Sequence, residues 1–248
     1  MKNIFITIQY DGSRYSGWQR QGNTDNTIEN KISSVLKVML GNDDDIEIHG
    51  SGRTDAGVHA LAQTANFKIC TDKTPDEIMT YLNKYLPEDI KVTCAKEVEM
   101  RFHARLCAVG KKYIYNIDNS SKANVFLRKY TEHIEKPLNL DKMKQASKLF
   151  VGTHDFFGFC DMKSKKKSSV RTINCINFSV NNQIISIEFD GNGFLYHMVR
   201  RICAALIEIG LENMEIEDLY GYFTENNSRK FEFLAPAKGL TLKEVRYT

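Results

Sequence analysis

Apolar and polar positions alternate from the start of the chain. Ile4, Ile6, Ile8 and Tyr10 are spaced by Phe5, Thr7 and Gln9, and this two-residue period predicts a strand over 3–10. The period then changes. Thr27 precedes a 3.6-residue stripe of Ile28, Ile32, Val35, Leu36, Met39 and Leu40, which predicts a helix capped by the threonine hydroxyl. A short strand is expected over 46–50, followed by a glycine-rich loop, Gly50-Ser-Gly-Arg-Thr-Asp-Ala-Gly57. Ala65, Phe67 and Ile69 alternate with Thr64, Asn66 and Lys68 as a strand does, and residues 75–85 suit a helix and 90–98 a strand. The order is β-α-β-β-α-β, the split βαβ of ferredoxin-like folds.

The second half repeats this order loosely. A strand is expected over 107–117, a helix over 140–150, and strands near 171–180 and 183–189. A helix from Leu195 carries Met198, Val199, Ile202, Leu206 and Ile209 on one face. A short helix near 215–223 and a strand near 240–246 follow. His154-Asp155-Phe156 reads either as a helix-end turn or as a site. The expected fold is α+β: two half-domains, each an antiparallel sheet with helices on one face. The boundary falls near 99–106, giving half-domains 1–103 and 104–248.

Composition narrows the class. The chain has 248 residues, 42% apolar and 26% charged, and its 4 prolines and 15 glycines exclude collagen-like and long disordered designs. With 34 basic and 31 acidic side chains the net charge is +3, so any basic footprint must be local. Two local runs qualify: Arg101, Arg105, Lys111 and Lys112, and then Lys163, Lys165, Lys166, Lys167 and Arg171, neither interrupted by an acid. A run of this kind is either a solvated loop or a polyanion contact, and two in a nearly neutral chain favour the polyanion. Six cysteines include no C-x-x-C pair, so reduced thiols and a cytoplasmic protein are expected. The N-terminal alternation is unlike the continuous apolar run of a signal peptide, and no stretch approaches the roughly 18 apolar residues of a membrane span.

Several chemistries are excluded by their motifs. Gly12-Ser-Arg-Tyr-Ser-Gly17 has the glycine spacing of a phosphate loop, but Trp18-Gln19 stand where Lys and Ser/Thr belong. Gly50-x-Gly52 and Gly191-Asn-Gly193 lack the third glycine of a dinucleotide fingerprint, and no G-x-S-x-G or H-E-x-x-H occurs. The histidines show no ligand pairing, which argues against a metal or redox enzyme. Attention falls on Arg53 and Asp55. In an extended stretch, residues two apart share a face, and a guanidinium there holds a carboxylate ionised and aimed. Such an aspartate serves as nucleophile or base, or the pair only stabilises a turn. Tyr10, Tyr15, Trp18, Tyr113 and Tyr115 lie among bases in a pattern suited to stacking on nucleobases, although alternation puts Tyr113 and Tyr115 on one face, where at least one is core packing.

Gly50-Ser-Gly-Arg-Thr-Asp-Ala-Gly-Val-His-Ala60 resembles the signature loop of the tRNA pseudouridine synthase A family. The resemblance runs the whole chain, through Tyr10-Asp-Gly-Ser with Gly17-Trp-Gln, Phe102-His-Ala-Arg105, Lys112-Tyr113-x-Tyr115, Gly152-x-His-Asp-Phe156, Val170-Arg-Thr-Ile173, Phe194-Leu-Tyr-His-Met-Val-Arg200 and Ala235-Pro-x-x-Gly-Leu240. It implies isomerisation of uridine to pseudouridine at about positions 38 to 40 of the tRNA anticodon arm, on a flipped base. It implies Asp55 as catalytic nucleophile, Arg53 as its salt-bridge partner, Tyr113 stacked on the uracil near its C5 proton, and Leu240 as an apolar wall of the pocket. It further implies no metal or organic cofactor and a homodimer that grips tRNA across a basic cleft between the half-domains. Lys111, Lys112 and the bases from Lys163 to Arg171 are the expected RNA contacts. The chain departs from the family pattern at Thr27-Ile28-Glu29, more often Thr-Val-Gln, at Arg201, often Asn, and at Cys203-Ala204.

The chemistry suits the residue types. The reaction breaks an N-glycosidic bond and remakes it to C5 without oxidation, and a carboxylate begins it by attacking C1′, attacking C6 or removing a 2′ proton. Two other classes compete: an RNA-binding module that has lost catalysis, which an intact Arg53-x-Asp55 argues against, and an Asp-dependent glycosidase acting on small nucleosides, which needs a second acid that is not evident.

Overall fold

A computed structural model describes residues 1–41, 46–162, 168–223 and 229–248. They pack as two compact units, Met1–Val109 with Thr241–Thr248, and Gly110–Leu240.

In the first unit, β1 (Lys2–Tyr10), α1 (Ile28–Leu40), β2 (Ile48–Gly50), β3 (His59–Ile69), α2 (Pro75–Tyr85) and β4 (Ile90–Val98) occur in the expected order. The sheet runs β4-β1-β3-β2 with every neighbour antiparallel, the order a split βαβ pair produces. β1 is central, and Ile4, Ile6 and Ile8 are fully buried. Thr27 caps α1 by accepting from Asn30 N, and Gly41, at φ 66°, ends it in the left-handed conformation that glycine adopts without strain. Thr74 and Glu77 form a capping box on α2, with Pro75 in its first turn.

In the second unit, β5 (Ala108–Asp118) begins two residues inside the first; β6 (Glu132–His133), α3 (Leu140–Ser147), β7 (Gly152–Asp155), β8 (Val170–Asn181), β9 (Ile184–Gly191) and α4 (Met198–Gly210) follow. The sheet order is β5-β9-β8-β7, all antiparallel, with β6 added parallel to β5. Three details differ from the sequence reading. His154 and Asp155 lie in a strand, β7, paired with Arg171 and Val170. The helix expected from Leu195 starts at Met198, because His197 at φ 64° is left-handed and Met198 N bonds back to Leu195 O (3.1 Å). The helix expected near 215–223 is a 3₁₀ run, Ile216–Tyr222.

The last strand, β10 (Leu240–Tyr247), pairs parallel with the start of β3, Thr241 opposite His59 and Leu242 opposite Ala60, which is why Thr241–Thr248 belong to the first unit. No helix among the described residues is long and apolar enough to cross a membrane.

Candidate active site

The loop between β2 and β3 is braced along its length. Ser51 N donates to Thr64 O (2.8 Å), Ser51 Oγ donates to Gln63 Oε1 (2.7 Å), and Gln63 Nε2 donates to Gly52 O (3.0 Å). Thr54 O accepts from Trp18 N (3.1 Å), and its hydroxyl meets the buried Tyr10 hydroxyl at 2.8 Å. Asp55 O accepts from Val58 N (3.1 Å), closing a tight turn whose third residue, Gly57, sits at φ 78°. That is the position where a type II turn demands glycine.

The segment 10–18 forms the other wall. Gly17 lies against the Thr54–Ala56 backbone; at φ 96° its missing Cβ would stand 2.7 Å from Thr54 O. Trp18 is 1% exposed and covers Gly50. His59 is buried, and its Nδ1 accepts from Gly12 N (3.1 Å), so it serves the fold of this wall. Tyr10 and Tyr15 are buried as well, so the cluster 10–18 that suggested base stacking is packing beneath the loop. Above this base Asp55 is half-buried and Arg53 exposed, with Arg53 Nε donating to Gln19 Oε1 (3.0 Å).

Tyr113, Lys111, Lys112, Arg171 and Leu240 belong to the second unit. Tyr113, Tyr115 and Ile117 share the buried face of β5. Tyr113 is 8% exposed and meets Phe194 edge to face, with ring centroids 5.3 Å apart. Tyr115 is fully buried, its hydroxyl donating to Pro236 O (3.0 Å), and burial pushes its phenol well above the ordinary range. Leu240 is buried. Lys112 Nζ lies 3.9 Å from Asp190 Oδ2, and Arg171 Nη1 turns back onto the carbonyls of Ser168 and Val170 (3.1 and 2.6 Å). Lys163, Lys165, Lys166 and Lys167 lie outside the described residues.

A family model described as tRNA pseudouridine synthase matches residues 6–106 and 146–248. The chain is 47% identical to tRNA pseudouridine synthase A 2 of Bacillus cereus and 49% identical to tRNA pseudouridine synthase A of Bacillus sp. (strain KSM-64), each over the whole of both chains. It is 44% identical to tRNA pseudouridine synthase A 1 of Clostridium tetani, again over both chains in full. The chain belongs to the tRNA pseudouridine synthase family. Within this pseudouridine synthase, sequence reasoning missed Gln19 as a partner of Arg53, although Gly17-Trp-Gln was visible. It also missed the group that starts α4. Asp161 accepts from His197 Nδ1 (2.6 Å) and Arg201 Nη2 (2.7 Å). Burial alone would raise the Asp161 carboxyl; those two bonds outweigh it and hold it below the usual carboxylate range. Arg201 is thus turned inward.

Proposed function

We propose that this pseudouridine synthase isomerises uridines of the tRNA anticodon arm at about positions 38 to 40, flipping the base, with Asp55 as nucleophile and Arg53 beside it. The observation that carries this reading is the braced turn at Asp55. A half-buried carboxylate held on a rigid, glycine-built loop is what a nucleophile needs, because its geometry is fixed before substrate arrives. The full-length relatives named tRNA pseudouridine synthase A support tRNA as the substrate. The reaction balances without a cofactor. The C1′–N1 bond breaks, C1′–C5 forms, C5 gives up its proton, and the former N1 ends protonated.

In this reading Tyr113 stacks on the uracil and Leu240 gives an apolar wall. Lys111, Lys112 and the run from Lys163 to Arg171 contact phosphates, the enzyme works as a homodimer, and it does so in the cytoplasm. Tyr113→Phe keeps the ring, so binding should hold and turnover should fall if the hydroxyl acts at C5. Tyr113→Ala removes a stack of roughly 1–3 kcal/mol and should weaken binding. A Tyr113→Phe enzyme turning over at the wild-type rate would leave stacking as the only role of this side chain. The function itself is tested by mass-spectrometric mapping of pseudouridine in tRNA from a deletion strain. Loss confined to the anticodon arm is the expected result, and an unchanged map rejects the proposal.

A further inference from the structure

Arg53 is an exposed side chain with many rotamers, yet its guanidinium has a defined seat. Nε donates to Gln19 Oε1 at 3.0 Å. The other end of the same amide, Gln19 Nε2, donates to Glu29 Oε2 at 2.6 Å, and that oxygen also accepts from Arg20 N at 2.8 Å. Glu29 is 8% exposed and sits in the first turn of α1, where the helix N-terminus favours a negative charge. Its backbone N donates to Trp18 O (3.0 Å), so helix, relay and catalytic loop share one frame. Burial raises the Glu29 carboxyl above the usual range, against the opposing pull of Arg20, Arg53 and His49. Burying this carboxylate is costly, and the bonds to Gln19 and Arg20 offset that cost.

The amide is suited to this role. A glutamine carries an acceptor and a donor on one rigid plane, so it can receive the guanidinium on one side and lean on a carboxylate with the other. With Nε fixed, the planar Arg53 fork loses most of its rotational freedom before tRNA arrives. We propose that Gln19 and Glu29 are positioning residues: a Glu29–Gln19–Arg53 relay holds the guanidinium on the loop that carries Asp55. This rests on the reading of that loop as the active site.

A purely structural alternative is that Gln19 and Glu29 only tie segment 17–21 to α1. A double-mutant cycle separates the two, with Gln19→Met, Arg53→Ala and their combination measured for tRNA affinity and for single-turnover tritium release from 5-tritiated uridine tRNA. Gln19→Met is chosen because Gln19 is only half-buried and the methionine keeps its length. Gln19→Met should slow the single-turnover step about tenfold, the scale on which a small misplacement of a catalytic group is felt, with tRNA affinity changed far less. In the Arg53→Ala background it should slow nothing further, because the residue it serves is gone. Glu29→Gln, which can present its amide oxygen to both donors, should stay near the wild-type rate while Glu29→Ala falls with Gln19→Met. Losses that multiply in the double variant, or a Gln19→Met enzyme at the wild-type rate, would overturn the relay. If Gln19→Met does not fold, Glu29→Ala takes its place in the same cycle. An active Asp55→Asn enzyme would instead reject the nucleophile, and the cycle would still report on Gln19 and Arg53.

Discussion

Asp55→Asn is expected to fold, to bind tRNA within about threefold of wild type and to form no detectable pseudouridine; tenfold would require about 1.4 kcal/mol of lost binding. Asn has nearly the same shape as Asp and carries no charge. The turn at this position is closed by the backbone carbonyl of residue 55 and by Gly57, and both survive the substitution. Asp55 is the sole carboxylate between Glu47 and Asp72, so no neighbour in that span can stand in. A nucleophile supplies a bond that binding energy cannot, and its loss belongs in the chemical step. The measurement is single-turnover tritium release with enzyme in excess. Release by Asp55→Asn at even a few per cent of the wild-type rate would sink the assignment and return the loop to the role of a stabilised turn.

Trp18→Ala is expected to destabilise the protein by about 3–5 kcal/mol, the range for emptying a buried aromatic site. The indole is 1% exposed, with its ring 6.2 Å from that of Tyr10 and its edge against Gly50. Its backbone bonds to Thr54 and Glu29 persist in an alanine variant, but the volume that seats the loop does not. Against a total stability of roughly 5–15 kcal/mol, such a loss is large. Urea denaturation should show a markedly lower midpoint, and turnover of the folded fraction should fall with it. A loss below about 1 kcal/mol would mean that the loop stands without the indole. The same substitution in a solvent-exposed stacking aromatic would weaken tRNA affinity and leave the midpoint nearly unchanged.

Much of the fold is legible along the chain. The alternation of Ile4, Ile6 and Ile8 marks the central strand because a strand with one face on the core has a period of two. The stripe from Ile28 to Leu40 marks α1 because one helix face must be apolar. Thr27 announces a helix start through the donor it satisfies. These signals are local, so one sequence suffices to read them. Short elements were less visible. β6 has two residues and β7 four, too few for a period to emerge, and both exist because β5 and β8 offer them an edge. The first turn expected of α4 failed because His197, which carries no helix-breaking signature, is left-handed and engaged with Asp161.

The candidate site divides in the same way. The glycine spacing and the single Asp of residues 50–57 mark the loop as a candidate by sequence alone, because a close backbone approach requires glycine and the proposed nucleophile is a carboxylate. Tertiary structure decided the surroundings. The spacing suggests Asp55 as a partner of Arg53; the fold adds a second residue, Gln19, thirty-four residues upstream, whose side-chain oxygen accepts from Arg53 Nε. Trp18 and Tyr15 suggest base stacking by their spacing and are core, since burial depends on what packs over a residue and not on its neighbours in sequence. β10 is predictable as a strand, but its pairing with β3 is a contact across more than 180 residues that no local pattern encodes. Residue type fixes what a side chain can do chemically; only the packing of distant segments fixes which partner it meets.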